Sequence, residues 1–257
     1  MTVRIGIQVQ PQHADFSRMR ECWREAEALG ADVIYTWDHF FPLSGDPDGR
    51  HFEALASLAS LAEVTSRARI GVLVNCNSYR NPNLLADAHR TIDHISGGRV
   101  VLGIGAGWAE RDYEAYGYDF GTSADRLRAL RRDLPIIRER LTALNPPPVG
   151  EMPVLIGGGG EKVTLRLVAE HADVWHGWGE IDTYRHKAAV LAEHCTALGR
   201  DPATIEHAWE RTSGPVLELA DELVAAGVTE LTTSATGPDY DLSELRELIA
   251  WRDRLTG

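Results

Sequence analysis

Ile70-Gly71-Val72-Leu73-Val74, Asn81-Pro82 through Ile95, Ser96-Gly97-Gly98 and Val100-Val101-Leu102-Gly103-Ile104 form the stretch whose reading decides the fold. Two wholly apolar runs flank a segment of helical spacing. Pro82 suits the first helical position, and the glycine pair is a stop signal. Neither run alternates apolar with polar, so each reads as a strand buried on both faces. Such strands belong to parallel sheets, joined by right-handed helical crossovers.

The same unit recurs in both directions. Towards the N-terminus, strands are expected at Val3–Val9 and Val33–Tyr35, and helices at Phe16–Leu29 and Glu53–Thr65, with Gly30 closing the first. The N-terminus, from Met1-Thr2 onward, reads as a strand without a signal-peptide layout. Beyond Ile104, a loop rich in Trp, Tyr and Gly runs from Gly105 to Gly121. A long helix capped by Ser123 or Asp125 then reaches about Leu144. Asn145-Pro146-Pro147-Pro148 makes a stiff extended connector. Further strands are expected at Val154–Ile156, Asp173–Trp175, Thr204–Trp209 and Val228–Thr232. Further helices are expected at Lys162–His171, Thr183–Leu198, Val216–Ala226 and Leu242–Leu255. Eight strand–helix units in 257 residues point to a single (β/α)8 TIM barrel domain over 1–257, with few insertions. A doubly wound sheet is the alternative, because the seventh strand is weakly marked.

Composition narrows the function. Lys plus Arg number 26 and Asp plus Glu 38, so the formal charge is 26 − 38 = −12. That balance excludes sequence-independent nucleic-acid binding, which needs a basic surface. No apolar run approaches the roughly 20 residues needed to cross a bilayer. Cys22, Cys76 and Cys195 are too few and too odd in number for a disulfide framework, and they suit a reducing cytoplasm. No CxxC or HExxH is present, so no metal site is expected. Lys162 and Lys187 are the only lysines, and Lys162 directly follows a glycine run.

A barrel carries its chemistry on the loops that follow the strands. After strand two, Trp37-Asp38-His39-Phe40-Phe41 sets an imidazole among aromatic rings, suited to acid–base work near neutral pH or merely to a backbone hydrogen bond. After strand three, Asn75-Cys76-Asn77-Ser78-Tyr79-Arg80 breaks the β-branched pattern and suggests a bulge with polar groups for a heterocycle. Cys76 reads as a small filler rather than a nucleophile. After strand four, Gly103-Ile104-Gly105-Ala106-Gly107-Trp108 allows either close approach to a flat ligand or close packing at the rim. It is not the dinucleotide fingerprint, because Trp108 stands where the last glycine would be. Of the acids that follow, one carboxylate over the pocket is expected. After strand five, Gly157-Gly158-Gly159-Gly160 leads into a helix and offers N–H groups to a phosphate. After strand six, Gly177 and Trp178 can complete that end of the pocket.

Taken together these loops resemble the luciferase-like monooxygenase superfamily, and most closely its members dependent on the deazaflavin coenzyme F420. The resemblance rests on Trp37-Asp38-His39, on Asn77-Ser78-Tyr79-Arg80-Asn81-Pro82, and on Ile95-Ser96-Gly97-Gly98-Arg99. It also rests on Gly103 to Trp108, Ala115-Tyr116-Gly117 and the glycine loop. It covers most of Val3 to Gly179, and Asn77 to Gly117 is its most specific part. It implies a barrel, homodimeric, with the cofactor ring in the mouth and its phosphate on Gly158, Gly159 and Gly160. A non-prolyl cis peptide would fall at Asn75–Cys76. His39 would handle a proton, Glu110 would assist, and Asp38 would orient the ring. Asn75, Cys76, Ala106 and Gly107 would contact the cofactor through backbone atoms, while Tyr79 and Arg80 would line it.

The expected activity is hydride transfer between F420 and a small organic substrate. An FMN-dependent monooxygenase served by a separate flavin reductase is one alternative. A non-redox barrel holding a phosphorylated metabolite is another. With the chain consumed by eight units, little is left for a lid, so an open or partner-covered mouth is expected. Because the cofactor is anionic and the chain acidic, a local positive exception is required near the glycine loop, from its N–H groups with Lys162, Arg80 or Arg166.

Overall fold

The computed structural model describes residues 3–256; Met1, Thr2 and Gly257 lie outside it. Its strands are β1 (Arg4–Val9), β2 (Val33–Thr36), β3 (Arg69–Val72), β4 (Asn75–Cys76), β5 (Val100–Gly105), β6 (Val154–Gly157), β7 (Val174–Trp178), β8 (Glu206–Glu210) and β9 (Glu230–Ala235). All pair in parallel, in the order β3-β2-β1-β9-β8-β7-β6-β5-β4, and a β3–β5 pairing closes the ring. The two-residue β4 continues β3, so the closed barrel has eight staves. The helices are α1 (Phe16–Leu29), α2 (Ala54–Val64), α3 (Pro82–Ser96), α4 (Glu110–Tyr116), α5 (Ser123–Ala143), α6 (Thr164–His171), α7 (Ile181–Leu198), α8 (Ala220–Ala225) and α9 (Ser243–Thr256). None among the described residues is long and apolar enough to cross a membrane.

Each strand divides its residues between two cores with the period of two that a pleat imposes. Ile5, Ile7, Ile34, Leu102, Ile104, Ile156 and Leu231 face the helices in the larger cluster. Val33, Tyr35, Val101, Leu155, Val174 and Ala208 fill the barrel interior. Its N-terminal end is sealed by polar groups. Buried Glu230 accepts hydrogen bonds from the Tyr35 hydroxyl at 2.9 Å and from Arg4 at 3.3 Å. Arg4 also pairs with Glu206 at 2.6 Å.

The stave formed by β3 and β4 is irregular. Gly71 pairs with Val101 and Asn75 with Ile104, so four steps on one strand match three on the other. The extra residue makes a bulge, as the polar break after strand three suggests. The non-prolyl cis peptide is Leu73–Val74, not the expected Asn75–Cys76. Asn75 and Cys76 are already back in register with β5, so the irregular backbone falls before them. Val74 is packed against glycines: a Cβ on Gly105 would lie 2.7 Å from its side chain, and one on Gly103 only 2.1 Å from the Val72 carbonyl. Close packing therefore accounts for these two glycines of the Gly-rich run.

Other departures are local. The loop expected from Gly105 to Gly121 contains α4. The expected Val216–Ala226 helix splits into a 3-10 turn at Val216–Leu219 and the short α8. The sixth expected strand runs to Trp178 rather than Trp175, and the seventh to Glu210 rather than Trp209.

Gly103→Ala must displace backbone and is expected to lose roughly 2–3 kcal/mol. Gly97→Ala has open space and only a positive φ of 72° against it, and is expected to lose about 1 kcal/mol. Urea unfolding of both variants checks the ranking, and equal losses would contradict the tight-packing account.

Candidate active site

A cavity of about 350 Å³ opens at the C-terminal end of the barrel, where inward-facing strand ends and the following loops meet. His39 lies on its wall, just past β2, between Trp37 and Trp108 with ring centroids 5.6 and 5.4 Å away. Its Nδ1 is 2.7 Å from Oδ2 of Asp112, a residue of α4. Asp112 also accepts from the Phe40 N–H at 3.2 Å and the Tyr79 hydroxyl at 3.1 Å. Burial raises its carboxyl, but the His39 hydrogen bond and charge, with those further donors, outweigh it and hold Asp112 below the usual range. Burial and the neighbouring Cys76 and Asp112 keep the Tyr79 proton on its oxygen. An ionised Asp112 only accepts, so His39 donates from Nδ1 and leaves Nε2 free of that pairing.

Asp38 is spent elsewhere. Arg80 grips its carboxylate at 2.5 and 2.9 Å, and the Cys76 N–H donates to it at 2.9 Å. Arg80 also pairs with Glu53 at 2.5 Å and does not line the cavity. Cys76 does line it, but burial pushes its thiol up to about 11, and its sulfur rests 3.1 Å from the Tyr113 hydroxyl. That is not an activated nucleophile. Asn75 gives its amide N–H to the Gly103 carbonyl at 2.6 Å, while its buried Oδ1 has no partner among the described residues.

Of the remaining candidates, Tyr79, Ala106, Gly107, Gly158 and Trp178 line the cavity. Glu110, Gly159, Gly160 and Gly177 do not. Glu110 is exposed at the start of α4. Gly177 is pressed on Trp209, whose ring would lie 2.3 Å from an added Cβ. Gly158 spends its N–H on the His176 carbonyl at 3.0 Å. Gly159 and Gly160 precede the turn that leads into α6 at Thr164, and their N–H groups have no backbone or side-chain acceptor among the described residues.

Two cavity residues, His176 and Glu210, escaped sequence reasoning. Of the acids after strand four, the one beside His39 is Asp112 and not the preferred Glu110; the helix that sets this register is only seven residues long, and its signal is Gly117, the left-handed residue that closes it with φ 70°. His176 points inward from β7. Burial lowers its imidazole to about 4, and its Nε2 lacks a partner among the described residues. Glu210 lies inward at the end of β8, two residues past Ala208. Burial raises its carboxyl to about 7, against a hydrogen bond with Ser234 and together with the charge of Glu244. Trp108 and Trp178 are 65% and 52% exposed on the cavity wall, so solvent reaches this part of the mouth.

The luciferase-like monooxygenase family model matches residues 1–213. An F420-dependent glucose-6-phosphate dehydrogenase of Amycolatopsis mediterranei is 36% identical over 122 residues, covering 47% of this chain and 36% of that protein. A second of that name, from Kribbella flavida, is 32% identical over 55% of this chain and 42% of its own. The chain thus spans about two fifths of these relatives' length. An uncharacterized protein of Mycobacterium tuberculosis is 30% identical over 207 residues, covering 69% of this chain and 73% of its own. Among solved structures, an F420-dependent secondary alcohol dehydrogenase in complex with an F420–acetone adduct superposes with a TM-score of 0.84. It is 17% identical and covers 97% of this chain and 99% of that one. A coenzyme F420-dependent tetrahydromethanopterin reductase from Methanopyrus kandleri gives 0.76 at 15% identity, covering 97% of each chain. These structural likenesses show the fold.

Glu210 yields a pH test with a definite sign. The folded protein holds its proton up to about pH 7, whereas the unfolded chain releases it near 4.5. The native state therefore binds more protons in that window, and stability falls as pH rises through it. Glu210→Gln removes this loss, so its stability relative to the parent should rise by about 1–3 kcal/mol between pH 4 and 8. Urea unfolding at both pH values checks it, and a difference independent of pH would refute the assignment.

Proposed function

From the premise that the chain belongs to the luciferase-like monooxygenase family, we propose that it is an oxidoreductase moving a hydride between coenzyme F420 and a small organic substrate. The observation that carries this reading is His39 on the cavity wall with Asp112 bonded behind it. The related dehydrogenases named for F420 support the choice of cofactor.

The cavity residues fit such a ring. The unpartnered Nε2 of the inward-facing His176 offers a buried polar contact that water or a ligand must complete. Leu73, Val74, Trp37 and Ala106 supply apolar wall. Gly107, with φ 84°, turns the backbone close to the cavity; its own added Cβ would meet the Tyr113 hydroxyl at 2.1 Å. Gly159 and Gly160, ahead of the turn that leads into α6, would hold the phosphate with their free N–H groups. Bound F420 would supply the two-electron chemistry, leaving positioning and proton handling to the protein.

His39 does that proton work. Asp112 fixes its ring and tautomer by taking the Nδ1 hydrogen, so Nε2 takes a proton from a substrate hydroxyl in one direction and returns it to a carbonyl in the other. Asp112 also steadies the cation formed while Nε2 holds the proton. The ring cannot swing away, because Arg111 anchors the same loop by bonding Asp48 at 2.7 Å and lying 4.0 Å over the Phe41 ring. A homodimer belongs to the same reading, and light scattering checks it.

Fluorescence titration with F420 and with FMN tests the proposal: saturable binding of F420 is expected, and binding of FMN alone would overturn it. His39→Ala should lower turnover by about 10²–10⁴-fold while cofactor affinity stays within a few-fold. Asp112→Asn leaves the ring free to take the wrong tautomer and should cost roughly 10–100-fold in kcat. Steady-state kinetics of the two variants separates these roles, and unchanged turnover in His39→Ala would remove His39 from the mechanism.

A further inference from the structure

The charges around the cavity are one-sided. Among the described residues no lysine or arginine lines it. The nearby cations are engaged: Arg80 with Asp38 and Glu53, Lys187 with Glu161, and Arg126 with the carbonyls of Gly107 and Phe120. Of the two carboxyl groups on the wall, Asp38 is neutralised by Arg80, whereas Glu210 has no ion pair among the described residues, the adjacent Arg211 being held by Glu180 and Glu218.

The position of Glu210 separates it from the proton-handling pair. It ends β8, while His39 follows β2, and β1 and β9 stand between those staves in the ring. The phosphate-holding backbone of the proposed function lies after β6 and is taken by the cofactor's own phosphate. An anionic substrate entering beside Glu210 would give up hydration and gain no opposite charge. An uncharged hydroxyl or carbonyl oxygen loses far less, and it meets groups that suit it: a carboxyl able to donate or accept, and the His39 Nε2.

We propose, resting on the F420 reading, that the substrate is an uncharged alcohol or carbonyl compound, and that Glu210 is the residue that turns phosphorylated substrates away. The proposed selectivity differs from that in the names of the related glucose-6-phosphate dehydrogenases.

Calorimetric titration of the F420-loaded protein at pH 8 with glucose 6-phosphate as the anionic probe decides the matter. No saturable binding is expected from the parent protein up to about 10 mM. Glu210→Lys should bind the probe at least about tenfold more tightly, since a local charge reversal of this size is worth a decade or more in affinity. Glu210→Gln, which removes the charge without reversing it, should gain a smaller factor and carries the test if the lysine variant does not fold. Saturable binding or turnover of glucose 6-phosphate by the parent would overturn the proposal. So would the absence of any gain in the folded variants. Cofactor titration keeps the two readings apart. A parent that does not bind F420 fails the reading beneath, and the inference falls with it. A parent that binds F420 and also glucose 6-phosphate fails this inference alone.

Discussion

The mouth of this barrel depends on one surplus residue. Between Gly71 and Asn75 the third stave advances four positions while β5 advances three, and Val74 occupies the excess. Glycines on the neighbouring staves make room for it, since side chains at Gly103, Gly105 or Gly157 would collide with Val72 or Val74. Pairing resumes at Asn75, whose amide is tied to the Gly103 carbonyl and to His89. The next N–H, of Cys76, is taken by Asp38, and a buried Asp38 in turn requires Arg80. A register offset thus leads, contact by contact, to a buried ion pair and to the irregular backbone on the cavity wall.

The two aspartates near His39 divide their work according to direction. Asp38 is its sequence neighbour, but adjacent residues in extended backbone point to opposite sides. Asp38 therefore turns toward β4 and Arg80, and His39 toward the loop after β5. The partner of the imidazole comes from 73 positions away, on a helix that also binds the loop carrying His39. Phe40 stacks on Tyr116 with centroids 3.8 Å apart, and Arg111 caps Phe41. Asp112 and Arg111 face the same loop from α4 and hold it by charge and by ring contact together. The orientation of His39 is thereby a property of tertiary packing rather than of the strand that bears it.

This explains what could be read from the chain and what could not. The α1 limits, Phe16 to Leu29, are those that apolar spacing and Gly30 predict, because a 14-residue amphipathic helix has enough turns for its period to show. The strand runs were legible for the same reason: strands buried on both faces are continuous apolar blocks. Glu210 was lost because the seventh strand was ended at Trp209, where its apolar residues stop. The inward period Glu206, Ala208, Glu210 continues one residue further, but its last member is a charge, and charges mark strand ends by composition. Asp112 was passed over for Glu110, since the seven residues of α4 span too few turns to declare a period and so a register. The glycine loop was visible as a motif, yet its individual N–H groups are not equivalent: Gly158 is committed to His176, and only the fold reveals that. The cis peptide shifted by two residues because register, not residue type, locates the bulge.

The net charge of −12 then takes on a different weight for cofactor and substrate. The cations expected near the glycine loop are mostly engaged: Arg80 with two carboxylates, and Arg166 with Glu170 at 2.8 Å. Lys162, exposed beside Glu161, has no ion pair among the described residues, so under the proposed reading it and the N–H groups of Gly159 and Gly160 would form the local exception. Exposed charges farther off than a Debye length, about 8 Å at physiological salt, are largely screened. The acidic surface therefore slows the approach of an anionic cofactor more than it weakens its hold once the phosphate has reached the loop. A neutral substrate feels neither effect. On the proposed reading its arrival would be governed by the exposed Trp108 and Trp178 at the rim and by the size of the cavity.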